Sequence, residues 1–314
     1  MRRKILAIAG VTVLASASAC GGNSEEEGPE AITVGALPIV DIAPLHLGVE
    51  QGFFADHGLE VEIENTGGGA EAIPGVVSGD FDFAFGNITS LILAHDQDLP
   101  VKIVSNGVTT TGEDGNDFGG IVVPEDSDIS GPADLAGKEV AVNNLQNIGD
   151  TTVRNSVRED GGDPAGVEFS ELPFPDMPAA LENGQVDAAW VVEPFLTTAL
   201  DNGAEEIASN FVDAHETLSV ASYFTTEQVI AEDPELVESF HVAMQESLTY
   251  ADSHPEEVRR ILLNYTEMDE QLIEEIRLPT FPSEPDPESA EVIGELMVED
   301  GLIDNEPDLD QLFQ

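Results

Sequence analysis

The sequence predicts an α/β protein built in two lobes, and three observations carry that prediction. Short apolar runs alternate with helical patterns from Ala31 onward. The alternation comes in two successive groups, parted by a stretch at 106–120 that is rich in Thr, Gly, Asp and Asn. From Glu227 to the end the pattern is nearly all helical. In the first group, 32–37 reads as a strand and 43–55 as an amphipathic helix. A strand at 59–64 follows, then Gly67, Gly68 and Gly69 lead into a helix. A strand at 81–85, a helix at 89–96 and a strand at 101–106 complete the group. In the second group, strands are expected at 121–123, 138–142, 167–172 and 188–192, with a helix at 149–159. A late strand at 218–224 is rich in Val, Ser, Ala and aromatics and closes that group.

The N-terminus fixes where the rest works. Arg2, Arg3 and Lys4 precede a short apolar run at 5–15, then small residues, then Cys20, the only cysteine. A charged start, a short apolar core and small residues at the cut describe an export signal over 1–19, too short for a membrane span. Cys20 after Ala19 and before Gly21 and Gly22 resembles a bacterial lipobox, with Ala17 where Leu is usual. Cys20 would then carry lipid and tether the chain to the outer face of the cytoplasmic membrane through a linker over 20–30. No thiol remains after Cys20, so neither a disulfide framework nor thiolate chemistry is available.

The charge is extreme: 63 acidic residues face 10 basic ones, and Arg2, Arg3 and Lys4 belong to the leader. Such a chain does not bind a phosphate backbone, so nucleic acid is excluded. The regular apolar periodicity argues against disorder. The acids are spread along the chain, which argues against a dedicated cation site. A solvated acidic surface suited to a salty medium, a halophilic adaptation, is the reading that remains.

In an open α/β sheet, ligands bind beyond the carboxyl ends of the strands, where helix N-termini point their free N–H groups. Five such junctions can be placed. The first holds Pro38 and Asp41, with Asp41 a candidate cap and Pro44 in the first helical turn. The second is the glycine-rich stretch at 66–70, and the third carries Asn87, Thr89 and Ser90. The fourth, at 143–152, offers Asn144, Gln146, Asn147, Asp150 and Thr151. The last runs from Trp190 to Phe195, with Glu193 before Pro194. Each acid or amide can merely cap a helix, and Trp190, the only tryptophan, can be core. Convergence on one side of the sheets favours a ligand role.

Enzyme motifs fail on inspection. Residues 131–138 have five residues between the glycines, and Glu139 follows the lysine, so a phosphate loop is excluded. Asp126, Asp128, Ser130 and Gly131 begin like a calcium loop, but the twelfth position is Gly137. The six histidines, among them His46, His57 and His95, have no zinc spacing, so neither metal nor cofactor is expected. No Gly-x-Ser-x-Gly elbow occurs.

The chain resembles the solute-binding proteins of ABC importers in the sulfonate, taurine, nitrate and thiamine-precursor group. The matching stretches are GALPIVDIAP at 35–44, QGFFADHGL at 51–59, GDFDFAFGN at 79–87, DLAGKEVAV at 134–142 and AALENGQVDAAWVVEP at 179–194. They cover nearly the whole chain after the leader, in order. The resemblance implies a type II periplasmic-binding-protein fold, each lobe a mainly parallel sheet flanked by helices. It implies a discontinuous first lobe, 31–120 plus 225–314, and a second lobe at 121–224. A small molecule would be captured between them by hinge closure. The implied partners are an ABC permease and its ATPase, and the implied state is a monomer and not an enzyme. A sensory module acting through a membrane partner is the rival reading. A pyrimidine-synthase-like enzyme is less favoured, because that relative needs a cysteine-rich motif. None of Lys102, Lys138, Arg154, Arg158, Arg259, Arg260 and Arg277 falls squarely at a junction, though Arg154 lies a turn into one helix. Helix N-termini and hydroxyls can still hold an anion. Asp41, Asp150 and Glu193 favour amines or amidine-like groups, and Trp190 offers a face for a flat ring or a cation. The reading leans towards an aminopyrimidine or a taurine-like zwitterion.

Overall fold

The computed structural model describes residues 28–313 except Glu267, so the leader and Cys20 lie outside the described residues. In chain order the first elements are β1 (Glu30–Ala36), a single 3-10 turn at Val40–Ile42, α1 (Ala43–Gln51), α2 (Phe53–Asp56) and β2 (Leu59–Asn65). Then come α3 (Gly69–Ser78), β3 (Phe83–Asn87), α4 (Ile88–Asp96) and β4 (Val101–Thr109). A second series holds β5 (Gly119–Pro124), β6 (Glu139–Val142), α5 (Ile148–Glu159), β7 (Glu168–Glu171), α6 (Met177–Glu182) and β8 (Ala188–Val192). It continues through α7 (Phe195–Asp201), β9 (Ala204–Ala208) and α8 (Asn210–Ala214). The chain then returns through β10 (Ser219–Thr226) to α9 (Glu227–Glu232), α10 (Pro234–Ser253), α11 (Pro255–Leu262), α12 (Glu270–Glu275) and α13 (Pro287–Glu299).

Two five-stranded sheets result, ordered β2-β1-β3-β10-β4 and β7-β6-β8-β5-β9. They share one plan. In each, the fourth strand of the order (β10 or β5) is the first strand after the chain passes over from the other sheet and runs antiparallel to both neighbours, while β1 with β2 and β3, and β6 with β7 and β8, pair parallel. Central strands such as β8 are buried at every position because helices cover both faces, and they read as unbroken apolar runs. The edge strand β2 alternates instead.

Several expectations need correction. The helix expected over 43–55 is broken at Gly52, which turns left-handed at φ 87° and ends α1. The strand at 101–106 runs on to Thr109, so less of the following stretch is loop. β9 was not foreseen, since AEEIA at a half-exposed sheet edge has no apolar run. The late strand does not join the second sheet: β10 pairs with β3 and β4 in the first. Strand pairing across the molecule leaves no mark in local periodicity. The tail after Glu227 is also less helical than expected, since an extended segment around Thr280 bridges Thr109.

The helices after β10 lie chiefly on the first sheet. Phe240 of α10 stacks on Phe83 at 3.9 Å and packs beside Phe54 and Tyr223. Thus the chain passes between the units twice, after β4 and before β10. The segment near Thr280 is tied to the first passage by a reciprocal pair of backbone bonds with Thr109, each 3.0 Å.

Candidate functional site

The carboxyl ends of β1, β3, β6 and β8 face one another across the gap between the two sheets. There Ile39, Asp41, Gly69, Phe85, Asn87 and Ala221 of the first unit oppose Asn143, Ile148, Phe174, Trp190 and Phe211 of the second. They enclose a narrow cavity of about 40 Å³, where a single water needs roughly 10–15 Å³. Its walls are mostly apolar or aromatic, as ligand pockets are. Among the described residues no lysine or arginine lines it.

Three buried polar groups at this cavity lack a hydrogen-bond partner among the described residues: Asp41 Oδ1, Asn143 Oδ1 and Trp190 Nε1. A buried polar atom left without water, ligand or protein partner costs about 1–3 kcal/mol. Two of the three are acceptors and the indole is a donor. Asp41 is 3% exposed, and burial pushes its carboxyl up to about 7 against a small opposing effect of a backbone hydrogen bond. It does not cap α1, as its sequence position led one to expect. It sits inside the 3-10 turn, and α1 begins after Ile42 with no side-chain cap. Pro44 does occupy the first turn.

Trp190 is 2% exposed and lies tilted against Phe174 at 5.3 Å and edge-on to Phe211 at 5.8 Å. Gly149 makes this placement possible, because a Cβ there would come within 2.6 Å of the indole. The indole is therefore packed like core while its N–H is buried without a partner among the described residues.

The other expected residues fall into two sets. Asn87 lines the cavity and also caps α4, its Oδ1 accepting from Ser90 N at 2.9 Å. The rest sit behind or beside the wall. Ser90 bridges the units, its Oγ accepting from Asn147 Nδ2 at 3.0 Å. Asn147 caps α5 through Ile148 N, and Thr151 Oγ1 donates to the Asn147 carbonyl. Asp150 Oδ2 accepts from Gln146 N at 3.0 Å, and burial raises its carboxyl to about 6. Gln146 holds a positive φ of 54°. Thr89 is buried and Pro38 half-buried, and neither lines the cavity.

Glu193 is fully buried at the back of the gap, outside the cavity lining. Its oxygens accept from Thr197 N at 3.1 Å, Thr197 Oγ1 at 2.7 Å and Arg277 N at 3.0 Å. It caps α7 and holds the C-terminal segment, while burial lifts its carboxyl to about 7 against those bonds. The Glu193 carbonyl also accepts from Val40 N at 3.4 Å. Arg277 spans the same region, pairing with Glu206 at 2.6 Å and donating to the Asp117 carbonyl.

Sequence reasoning missed Asn143, Phe174 and Phe211. Asn143 opens the fourth junction and was passed over for its polar neighbours. Phe174, in a Leu-Pro-Phe-Pro run, carried a signal in that a large aromatic between prolines sits at a strand end. Phe211 lies on the short α8 and had none.

Comparison with known proteins gives a family and a fold. The family model described as NMT1/THI5 like matches residues 39–258. A formylaminopyrimidine-binding protein of Halalkalibacterium halodurans is 26% identical over 242 residues, covering 74% of this chain and 69% of that protein. Among solved structures, the alkanesulfonate-binding protein SsuA of Xanthomonas axonopodis pv. citri bound to MOPS superposes with a TM-score of 0.77 at 14% identity, covering 91% of this chain and 99% of its own. The periplasmic nitrate-binding protein NrtA of Synechocystis PCC 6803 gives 0.77 at 15% identity, covering 91% and 86%. At those identities the two structures establish the fold alone, a periplasmic-binding-protein fold. Among the described residues no helix is long and apolar enough to cross a membrane.

Proposed function

This chain belongs to the NMT1/THI5 like family, and from that premise we propose that it is the extracytoplasmic solute-binding component of an ABC importer. It captures a small, flat, amine-bearing molecule of the aminopyrimidine class between its lobes and presents it to a permease and its ATPase. Lipid on Cys20 holds it at the outer face of the cytoplasmic membrane, as a monomer.

The observation that carries the ligand class is the trio of unpaired groups at a cavity without a cation. An aminopyrimidine has an amidine edge, an exocyclic NH2 beside a ring nitrogen. That edge matches a carboxyl group when one proton is shared between them: one oxygen accepts from the amine, and the proton lies between the other oxygen and the ring nitrogen. Asp41 supplies that carboxyl. Asn143 Oδ1 accepts a second amine or amide hydrogen, and Trp190 Nε1–H donates to a ring nitrogen or carbonyl oxygen. Phe174 and the apolar walls take the ring face. The formylaminopyrimidine-binding relative supports the same class. A sulfonate or nitrate would meet Asp41 with no neutralising cation beside it.

Titration of the chain from Gly21 onward, in high salt, tests this through Trp190 emission. Aminopyrimidines should give a saturable change, and taurine, alkanesulfonates and nitrate should give none. Saturation by an alkanesulfonate or nitrate instead would overturn the assigned class.

A further inference from the structure

We infer that Arg158 is a positioning residue for lobe closure, holding the two units together without touching the ligand. The inference rests on the reading of the chain as a closing, two-lobed binding protein. Arg158 stands in the last turn of α5, in the second unit. Its Nε pairs with Glu299 at 2.9 Å and its Nη2 with Asp300 at 2.7 Å, at the C-terminal end of α13. Helix α13 belongs with the first unit, since Ser289 near its start accepts from Ser219 N of β10 at 3.0 Å. The Arg158 pairs therefore span the gap, while Arg260 spends its charge on Glu50 and Glu257 within the first unit.

The surroundings give this charge weight at this end of the gap, far along the chain from the Arg277–Glu206 pair. Two helix C-termini meet here, and each end carries partial negative charge. Glu299 and Asp300 lie on one side, and Glu159, Asp160 and Asp213 gather on the other. Arg154, one turn earlier on α5, is the other nearby cation, and it is engaged with the Pro164 carbonyl at 2.5 Å and the Phe169 ring. Arg154 also attracts Asp300, so loss of Arg158 weakens the attraction between the two faces and leaves the acids' repulsion less opposed. The Asp300 side chain is only 5% exposed, so added salt screens its pair with Arg158 weakly. The repulsion between the acidic lobe surfaces is long-range and is screened strongly. Closure in the ligand-free chain is thus a contest between a short-range latch and a long-range, salt-sensitive repulsion.

Single-molecule energy transfer tests this without a ligand. In a chain lacking Cys20, Glu60→Cys and Glu168→Cys place dyes on exposed edge strands of the two sheets. Arg158→Gln should lower the ratio of closed to open molecules by roughly tenfold at low salt, with partial recovery in molar KCl and in Arg158→Lys. Arg260→Gln removes the same charge inside one unit and should leave the ratio unchanged. The inference is overturned if Arg158→Gln, still folded by circular dichroism, gives the unaltered distribution, or if Arg260→Gln shifts it equally. Ligand binding is read separately by Trp190 emission. A chain that binds aminopyrimidine while its lobe distance ignores Arg158 overturns the latch and leaves the proposed function standing.

Discussion

Asp41 and Glu193 are both buried near the gap between the sheets, and burial lifts both carboxyls to about 7. Their neighbours nevertheless set them apart. Three donors converge on Glu193, two from Thr197 and one from the Arg277 backbone, so its acceptor capacity goes into fastening α7 and the C-terminal segment. Asp41 keeps Oδ1 without a partner and borders the cavity. On the proposed reading, the well-bonded carboxyl of Glu193 is structural and the one with an unbonded oxygen at the cavity is the receptor. Residue type and burial do not separate the two, but hydrogen-bond accounting does.

The comparison can be strained in several ways. The largest effect should come from Glu193→Ala, which strands three buried donors: a loss of roughly 3–5 kcal/mol of folding stability, read by urea unfolding. A loss below about 1 kcal/mol would mean that those bonds hold little. Next comes pH. Both acids titrate near their ordinary values, 3.8 and 4.5, when unfolded and near 7 when folded. The folded chain therefore binds the extra protons between those limits. That stability is fully present below about pH 4 and is lost as pH rises through about 7. The thermal midpoint should fall by several degrees from pH 5 to pH 8, and no fall would contradict the burial of these acids.

Asp41→Asn separates the two roles more finely. It removes a costly buried charge while the amide oxygen can keep the one backbone hydrogen bond, so the midpoint at pH 8 should rise by a few degrees and the pH slope should flatten. A fall would show that Asp41 holds the fold. The smallest effect belongs to Trp190→Phe, which keeps a ring against Phe174 and Phe211 and loses only the N–H. Aminopyrimidine affinity should weaken by roughly threefold to tenfold, measured by calorimetry because the fluorophore is gone.

Much of the fold was legible, for physical reasons that also explain the gaps. Strands buried on both faces, such as β3 and β8, announce themselves as apolar runs between turn residues. The polar edge strand β9 and the crossing of β10 into the first sheet do not, because the first has no apolar pattern and the second is decided by pairing across the molecule. At the cavity, the junction rule located Asp41, Asn87 and Trp190 through their places at strand ends. The same rule also named Asn147, Asp150 and Glu193, which cap helices or bridge the units from outside the cavity lining. A strand end fixes which residues are near the gap, while side-chain bonding fixes which of them remain free to bind.

The most direct test is calorimetric titration of an aminopyrimidine into Asp41→Asn and Glu193→Gln side by side, at pH 7 and high salt. The account predicts that Asp41→Asn weakens binding by roughly 30-fold or more, while Glu193→Gln, folded but less stable, stays within about tenfold of the parent chain. The reverse order, with Glu193→Gln abolishing binding and Asp41→Asn binding normally, would contradict it and make Glu193 the receptor.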